Sequence, residues 1–92
     1  MTYAVRHDPA LQRFEATVDG QLCVTDYRLR GGLMWMTHTY VPPPLEGRGI
    51  ASELVRTALD FARREGLRVV PACSYVDAWM RRHPETGDLR SS

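Results

Sequence analysis

The sequence predicts an α+β fold built on one mixed sheet. The predicted order is an antiparallel meander of four strands, a helix, a fifth strand parallel to the fourth and a short C-terminal helix. Three observations support this prediction: strand-like alternation with tight turns over the first 40 residues, helical periodicity over 48–65, and the apolar stretch 67–73 directly after it. A crossover through a helix makes the flanking strands parallel.

The first four strands are predicted from alternation and from the turns between them. Asp19-Gly20 is a strong signal for a two-residue hairpin, and Gly31-Gly32 marks the next turn. The fourth strand is rich in aromatic and β-branched residues, which favours a long, central position. The predicted strands are 3–7, 13–18, 21–29 and 33–41.

The second half of the chain contains the predicted helices. Prolines 42–44 end the fourth strand, because proline cannot donate to a sheet, and they would spread the end of that strand away from its neighbour. An amphipathic helix covers 48–65, and Gly66 lies where a helix-terminating glycine is expected. A short helix follows over 74–85, and 86–92 is expected to be a frayed tail.

Composition limits the classes of function. The 92 residues are expected to form a single domain, 1–92, with a net charge of +1. Twelve arginines and no lysine exclude a P-loop and a lysine Schiff base. The absence of a clustered basic excess argues against a nucleic-acid partner, and no apolar run predicts a membrane span or a signal peptide.

A cytoplasmic location is the resulting expectation, with Cys23 and Cys73 as reduced thiols. The cysteines and the three histidines show no close ligand spacing, so no metal site is predicted.

The stretch "EGRGIA" (46–51) joins the fourth strand to the long helix. The first amides of a helix lack intrahelical partners and carry a partial positive charge. Gly47 and Gly49 remove the side chains that would keep an anion away from those amides, and Arg48 adds a mobile charge. The pattern indicates a phosphate-binding turn. The alternative is an ordinary tight turn, and Ser52 replaces the third glycine of a dinucleotide fingerprint.

The stretch "EGRGIASELVRTALDFARREG" (46–66), which follows a predicted strand, resembles the acyl-coenzyme A loop and helix of the GNAT acetyltransferase superfamily, whose loop reads Q/R-x-x-G-x-G/A. Gly49 and Ala51 match its last two positions, whereas Glu46 occupies the first. The resemblance is closer to the small YjdJ-type GNAT-like subfamily through "THTYVPPPLEGRGIA" (37–51) and "VPACSYVDAWMRRHPE" (70–85). It covers nearly the whole chain and implies a minimal GNAT-like core that binds coenzyme A.

The resemblance also implies which residues contact acetyl-coenzyme A as co-substrate. Backbone amides of the loop would hold the pyrophosphate: Gly47, Arg48, Gly49, Ile50 and Ala51. The fourth strand would pair with the pantetheine through the backbone of His38, Thr39, Tyr40 and Val41. The thioester would then lie near Cys73.

Four side chains are candidates for catalysis. Cys73 is either an acyl-accepting nucleophile, a donor to the thiolate or a small buried residue. His38 is either a base near neutral pH or a histidine satisfied by a neighbouring carbonyl. Glu46 either deprotonates the amine or caps the helix. Tyr75 could donate to the leaving thiolate, although the usual GNAT tyrosine lies further along the last helix.

The resulting hypothesis is an acyl-coenzyme A-dependent N-acyltransferase whose amine acceptor is unknown. A full GNAT domain has two helices after its first strand, which this sequence lacks, so the acceptor side has few walls. Either the acceptor is large, such as a protein amine, or a homodimer rather than a monomer completes the site. The alternative hypothesis is a non-catalytic coenzyme A-binding or thiol-sensing module.

Overall fold

The structure, a computed structural model, describes residues 3–91. Five strands and two α-helices make up most of the chain, and two short 3₁₀ helices, Pro43–Leu45 and Pro84–Leu89, lie in the connections. The strands are β1 Arg6–Asp8, β2 Arg13–Val18, β3 Gln21–Arg30, β4 Leu33–Tyr40 and β5 Arg68–Pro71; the helices are α1 Ile50–Glu65 and α2 Ser74–Arg82.

The strands form one sheet in the order β1-β2-β3-β4-β5. The pairs from β1 to β4 are antiparallel, and β5 runs parallel to β4 with Leu33 opposite Arg68 and Met36 opposite Pro71. Asp19 and Gly20 both have positive φ, as a tight hairpin turn between β2 and β3 requires. The predicted meander, crossover and parallel fifth strand are therefore confirmed.

Both helices pack on one face of the sheet and enclose the core. Successive strand residues point to opposite faces, so Phe14, Tyr27 and Met36 face the helices and are almost fully buried. Helix α1 contributes Leu54 and Val55, both 0% exposed, and full burial of each stabilises the fold by about 1.5–3 kcal/mol. Helix α2 completes the core with Val76, Trp79 and Met80.

The opposite face of the sheet carries no helix in the part of the chain that the structure describes. We call it the open face; it includes Thr17, Leu22, Asp26, Arg28, Trp35 and Thr37. Leu22 is 45% exposed, which agrees with an uncovered surface at that end of β3. The open face contains the second cavity described below.

Strand β4 has a bulge at Thr37, next to the position where its pairing with β5 ends. The register with β3 pairs Tyr27 with Met36 but Asp26 with His38, so Thr37 is one extra residue in β4. Pairing with β5 ends at Met36, and the last contact is the Cys73 amide, which donates to the Met36 carbonyl at 2.8 Å. The separation therefore begins five residues before Pro42, at the position where β5 itself ends at Pro71.

Two sequence predictions about the chain ends are corrected. Residues 3–5 are not in a strand, because β1 begins at Arg6 and the Tyr3 hydroxyl donates instead to the Arg48 carbonyl at 2.9 Å. The expected frayed tail over 86–92 is wrong for 86–91: Thr86 and Leu89 are buried, and Arg90 bridges to Val69 at the edge of β5. Residue 92 lies outside the described residues.

Candidate functional site

The turn before α1 leaves its first backbone amides without partners. The first intrahelical bond joins the Glu53 amide to the Gly49 carbonyl at 3.1 Å, and Gly49 caps the helix without a side-chain hydrogen bond. The amides of Ile50, Ala51 and Ser52 precede that bond and have no acceptor among residues 3–91. The helix start therefore presents a row of free N–H donors with a partial positive charge.

The glycines of this turn keep the approach to those donors open. Gly47 and Gly49 both have φ of +81°, a left-handed conformation that L-residues with a side chain rarely adopt. A Cβ atom at either position would meet no atom within 4 Å, so the space beside the turn is empty. The sequence thus specifies both the shape of the turn and its accessibility.

A cavity of about 400 Å³ lies in front of the turn, between β4, α1 and the start of α2. We call it the inner cavity. Its lining includes eight residues that the sequence analysis proposed: Thr39, Val41, Glu46, Gly47, Gly49, Ile50, Ala51 and Tyr75. Its size is within the range of small-molecule sites.

Two lining residues were missed by sequence reasoning, Leu45 and Ser52. Leu45 is 2% exposed within a proline-rich loop, and an apolar residue in such a loop was an available signal. The Ser52 hydroxyl accepts a hydrogen bond of 2.8 Å from the Trp79 indole, so it joins the two helices at the wall of the cavity. In the sequence, Ser52 stands out only because it replaces the third glycine of a dinucleotide fingerprint, which carries no information about its hydroxyl.

Arg48 does not line the inner cavity. Its guanidinium forms an ion pair of 2.9 Å with Asp19 in the β2–β3 turn, and hydrogen bonding to Asp19 raises the pKa of Arg48. The mobile positive charge expected from the sequence is therefore engaged with a carboxylate. What this residue contributes to the turn is its backbone.

The side chains of His38 and Tyr40 lie on the open face, away from the inner cavity. Their rings are 6.5 Å apart and nearly parallel, and both residues are exposed. The bulge at Thr37 explains this orientation, because the extra residue turns Thr39 inward and its two neighbours outward. The backbone of 37–40 has no β5 pairing and stays accessible on that side.

Cys73 lies beside the inner cavity but does not line it. It is half-buried at the start of α2, and its thiol is 3.7 Å from the Thr39 hydroxyl. Thr39 in turn is 2.9 Å from the hydroxyl of Thr25, which is fully buried. Cys73 is thus the end of a short polar chain that reaches the cavity through Thr39.

Tyr75 is the only titratable group besides Glu46 among the residues that line the inner cavity. Burial raises the pKa of the Tyr75 hydroxyl, against a smaller opposing effect of Arg82, so it is protonated at neutral pH and is a hydrogen-bond donor. Glu46 is exposed at the cavity rim, and Gly49 rather than Glu46 caps α1, which removes the capping alternative.

No group of three or more His, Cys, Asp or Glu residues within 3–91 is arranged to hold a metal ion. None of the helices described is long and apolar enough to cross a bilayer.

Comparison with known proteins gives a consistent result. A family model described as GCN5-related N-acetyl-transferase matches residues 13–89. The curated protein NATD1 of Bos taurus is 34% identical over 83 residues, which are 87% of this chain and 74% of that protein. Human NATD1 is 32% identical over the same shares of both chains, and NATD1 of Danio rerio is 30% identical over 87% and 76%.

Among solved structures, a solution NMR structure of a GCN5-like protein from Staphylococcus aureus matches with a TM-score of 0.79. The match covers 99% of this chain and 90% of that chain at 19% sequence identity. The similarity therefore concerns the fold, and it agrees with the GNAT-like core expected from the sequence.

Proposed function

The chain belongs to the GCN5-related N-acetyltransferase family, and on that premise we propose that it transfers an acyl group, most simply acetyl, from coenzyme A to an amine. One observation carries the proposal. The unpaired amides of Ile50, Ala51 and Ser52 open onto a cavity of about 400 Å³ that also contains a protonated tyrosine. An anionic diphosphate and a thiolate leaving group need these two features.

The residues of the inner cavity fit a coenzyme A thioester. The free amides after Gly49 supply donors for the pyrophosphate oxygens, and the open space at both glycines lets the phosphates approach. The backbone of β4 beyond Met36 lacks a strand neighbour on the β5 side, so the pantetheine amides can pair with it as an added strand would.

The chemistry follows from what the thioester supplies, an acyl group already activated for transfer. The neutral amine nitrogen forms a bond to the thioester carbonyl carbon while the carbon–sulfur bond breaks, and the products are an amide and the free thiol. One proton leaves the amine and one is gained by the thiolate. Tyr75 is the proposed group that stabilises the sulfur, because it lines the cavity and its hydroxyl stays protonated.

We infer direct transfer rather than an acyl-cysteine intermediate. Cys73 donates toward Thr39 and lies outside the cavity lining, where its role is to hold β4 and α2 together. Glu46 at the rim is the candidate that accepts the amine proton, directly or through water. His38, on the open face, is a second candidate for the same step if the amine enters from that side.

The proposal also covers the subfamily, the cellular location, the co-substrate and the assembly. The length and the "VPACSYVDAWMRRHPE" segment favour the small YjdJ-type subfamily, and a cytoplasmic location is consistent with free thiols at both cysteines. Coenzyme A without a metal is the proposed co-substrate requirement. Of the two ways to complete the acceptor side, a large acceptor or a second subunit, the proposal takes the homodimer.

The test separates an enzyme from a binding module. Isothermal calorimetry with coenzyme A measures binding, and incubation with acetyl-coenzyme A and a panel of amines, followed by detection of free thiol, measures transfer. Amine-dependent thiol release supports the proposal. Binding without such release supports the coenzyme A-binding or thiol-sensing module, and the absence of binding by a folded protein rejects both.

A further inference from the structure

A second cavity of about 530 Å³ lies on the open face at the end of the β3–β4 pair. We call it the outer pocket; it is lined by Gln12, Arg28, Leu29, Arg30, Trp35 and Thr37. Arg28 and Trp35 are directly opposite each other on neighbouring strands. The pocket is on the other side of the sheet from the inner cavity, because Met36, between Trp35 and Thr37, points into the core.

The polar groups of the outer pocket are almost all hydrogen-bond donors. Arg28 makes one bond, to the Tyr27 carbonyl at 2.7 Å, and neither Arg28 nor Arg30 forms an ion pair with a carboxylate in the described chain. The nearest acidic residue of that face along β3, Asp26, is engaged by Arg13 at 2.9 Å. The two guanidinium charges of the pocket are therefore not neutralised.

Two further donors are held in place. The side-chain oxygen of Gln12 accepts the Leu29 amide at 3.1 Å, which leaves its NH₂ group free to donate. The indole nitrogen of Trp35 exposes less than 1 Å² and has no acceptor among the described residues. A buried donor without a partner is uncommon in folded proteins, so this wall of the pocket is not fully satisfied by the described residues.

The outer pocket touches the same segment of β4 as the inner cavity. Thr37, the bulged residue, lines the pocket, and Thr39, two residues later, lines the cavity on the other face. Pairing between β4 and β5 stops at Met36, so both threonines lie in the part of β4 that β5 does not cover.

We propose that the outer pocket binds a carboxylate of the acceptor, so that the acceptor is an amine that also carries a carboxylate, such as an amino acid. This inference rests on the proposed acyltransferase function and defines its substrate class. A carboxylate offers about four lone-pair positions, and the pocket offers accessible donors from three side chains: Gln12, Arg28 and Arg30. Arginine binds carboxylates in a fork geometry, and the indole ring of Trp35 supplies an apolar wall for the rest of the molecule.

The two tryptophans of the chain allow the two sites to be observed separately. Trp35 lines the outer pocket, whereas the Trp79 indole donates to Ser52 in the wall of the inner cavity. In ¹⁵N-labelled protein each indole N–H gives one resonance, assigned with Trp35→Phe and Trp79→Phe. We expect glycine and glutamate to shift the Trp35 resonance, and their C-terminal amides to leave it unchanged.

The variants Arg28→Gln and Arg30→Gln should each weaken this response about tenfold, as expected for lost hydrogen bonds to a charged group. Arg64→Gln, an exposed arginine of α1 without an ion pair in the described chain, is the matched control and should bind like the unchanged protein. In the transfer assay, the same variants should raise KM for the amino acid without a comparable change in kcat.

The failures of the two proposals differ. If coenzyme A shifts Trp79 but amino acids and their amides act equally on Trp35, the carboxylate proposal is wrong and the acyltransferase proposal stands. The carboxylate proposal is likewise wrong, and the acyltransferase proposal stands, if inorganic phosphate alone shifts the Trp35 resonance or if amino-acid amides are the better acceptors in the transfer assay. If coenzyme A produces neither a Trp79 shift nor a change in thermal stability, the acyltransferase proposal is wrong.

Discussion

Two glycines at opposite ends of α1 provide a matched test of the anion site. Gly49 and Gly66 have φ of +81° and +70°, and a Cβ at either position would meet no atom within 4 Å. Alanine in this left-handed conformation costs roughly 1–2 kcal/mol. At about 4–8 °C per kcal/mol for a chain of this size, both Gly49→Ala and Gly66→Ala should lower the melting temperature by roughly 4–16 °C.

Only one of these variants should affect ligand binding. Relief of the strain at Gly49 moves the amides of Ile50, Ala51 and Ser52, which are the proposed donors to the pyrophosphate. Loss of charge-assisted hydrogen bonds of about 1.5–3 kcal/mol corresponds to a Kd for coenzyme A that is roughly 10- to 150-fold higher. Gly66 lies about 24 Å away along a 16-residue helix, so its variant should keep the original Kd.

Calorimetry with coenzyme A, at a temperature where both variants are folded, measures the difference. Equal losses of affinity in the two variants would mean that stability, and not the helix start, determines binding. Unchanged affinity in Gly49→Ala, with the expected loss of stability, would refute the assignment of the phosphates to these amides.

Four other predictions follow from particular side chains. Tyr75→Phe should lower kcat about 100-fold in the thiol-release assay while calorimetry shows unchanged binding of coenzyme A, and an unchanged kcat would remove the donor role. Cys73→Ala should retain acyl transfer, and mass spectrometry of the unchanged protein after incubation with acetyl-coenzyme A should find no acetyl group on Cys73. An acetylated thiol together with an inactive variant would instead establish a covalent intermediate. Burial holds the pKa of His7 below its ordinary value of about 6.5, so the unfolded state takes up the proton first as pH decreases. The free energy of unfolding should therefore fall between about pH 7 and about pH 5. His7→Gln should make this dependence less steep in urea titrations, and an equally steep curve would contradict the assignment. Leu89→Ala should destabilise the fold by about 2 kcal/mol or more in the same titrations, whereas a loss near zero would return residues 86–91 to the frayed tail.

Hairpins, core periodicity and the crossover could be predicted from the sequence because each has a local signal. Strand β2 has the predicted bounds, and Gly66 ends α1 as expected. Helix α1 begins at Ile50 rather than residue 48, because Gly49 adopts a left-handed conformation that a helix cannot include. Predictions that depended on neighbouring residues were therefore accurate to within about three positions, with the largest differences at the start of β1 and the end of α2.

The site was predicted less completely because its geometry depends on contacts that are distant in sequence. A bulge at Thr37 has no glycine or proline to mark it, yet it decides that Thr39 and not His38 faces the inner cavity. The engagement of Arg48 by Asp19 joins residues 29 positions apart. The outer pocket likewise depends on Gln12, whose positive φ places it against β3 without a sequence signal.

The segment after α2 has a consequence for association between copies. A sheet margin with unpaired backbone groups is a template for further strands. At the β5 margin, the Ser91 amide donates to the Val69 carbonyl at 2.7 Å and Arg68 donates to the Arg90 carbonyl at 2.7 Å. The opposite margin is the three-residue strand β1, which begins with a charged Arg6 and is followed by Pro9. Both margins thus oppose edge-to-edge growth into fibres, even though one broad surface of the sheet stays bare.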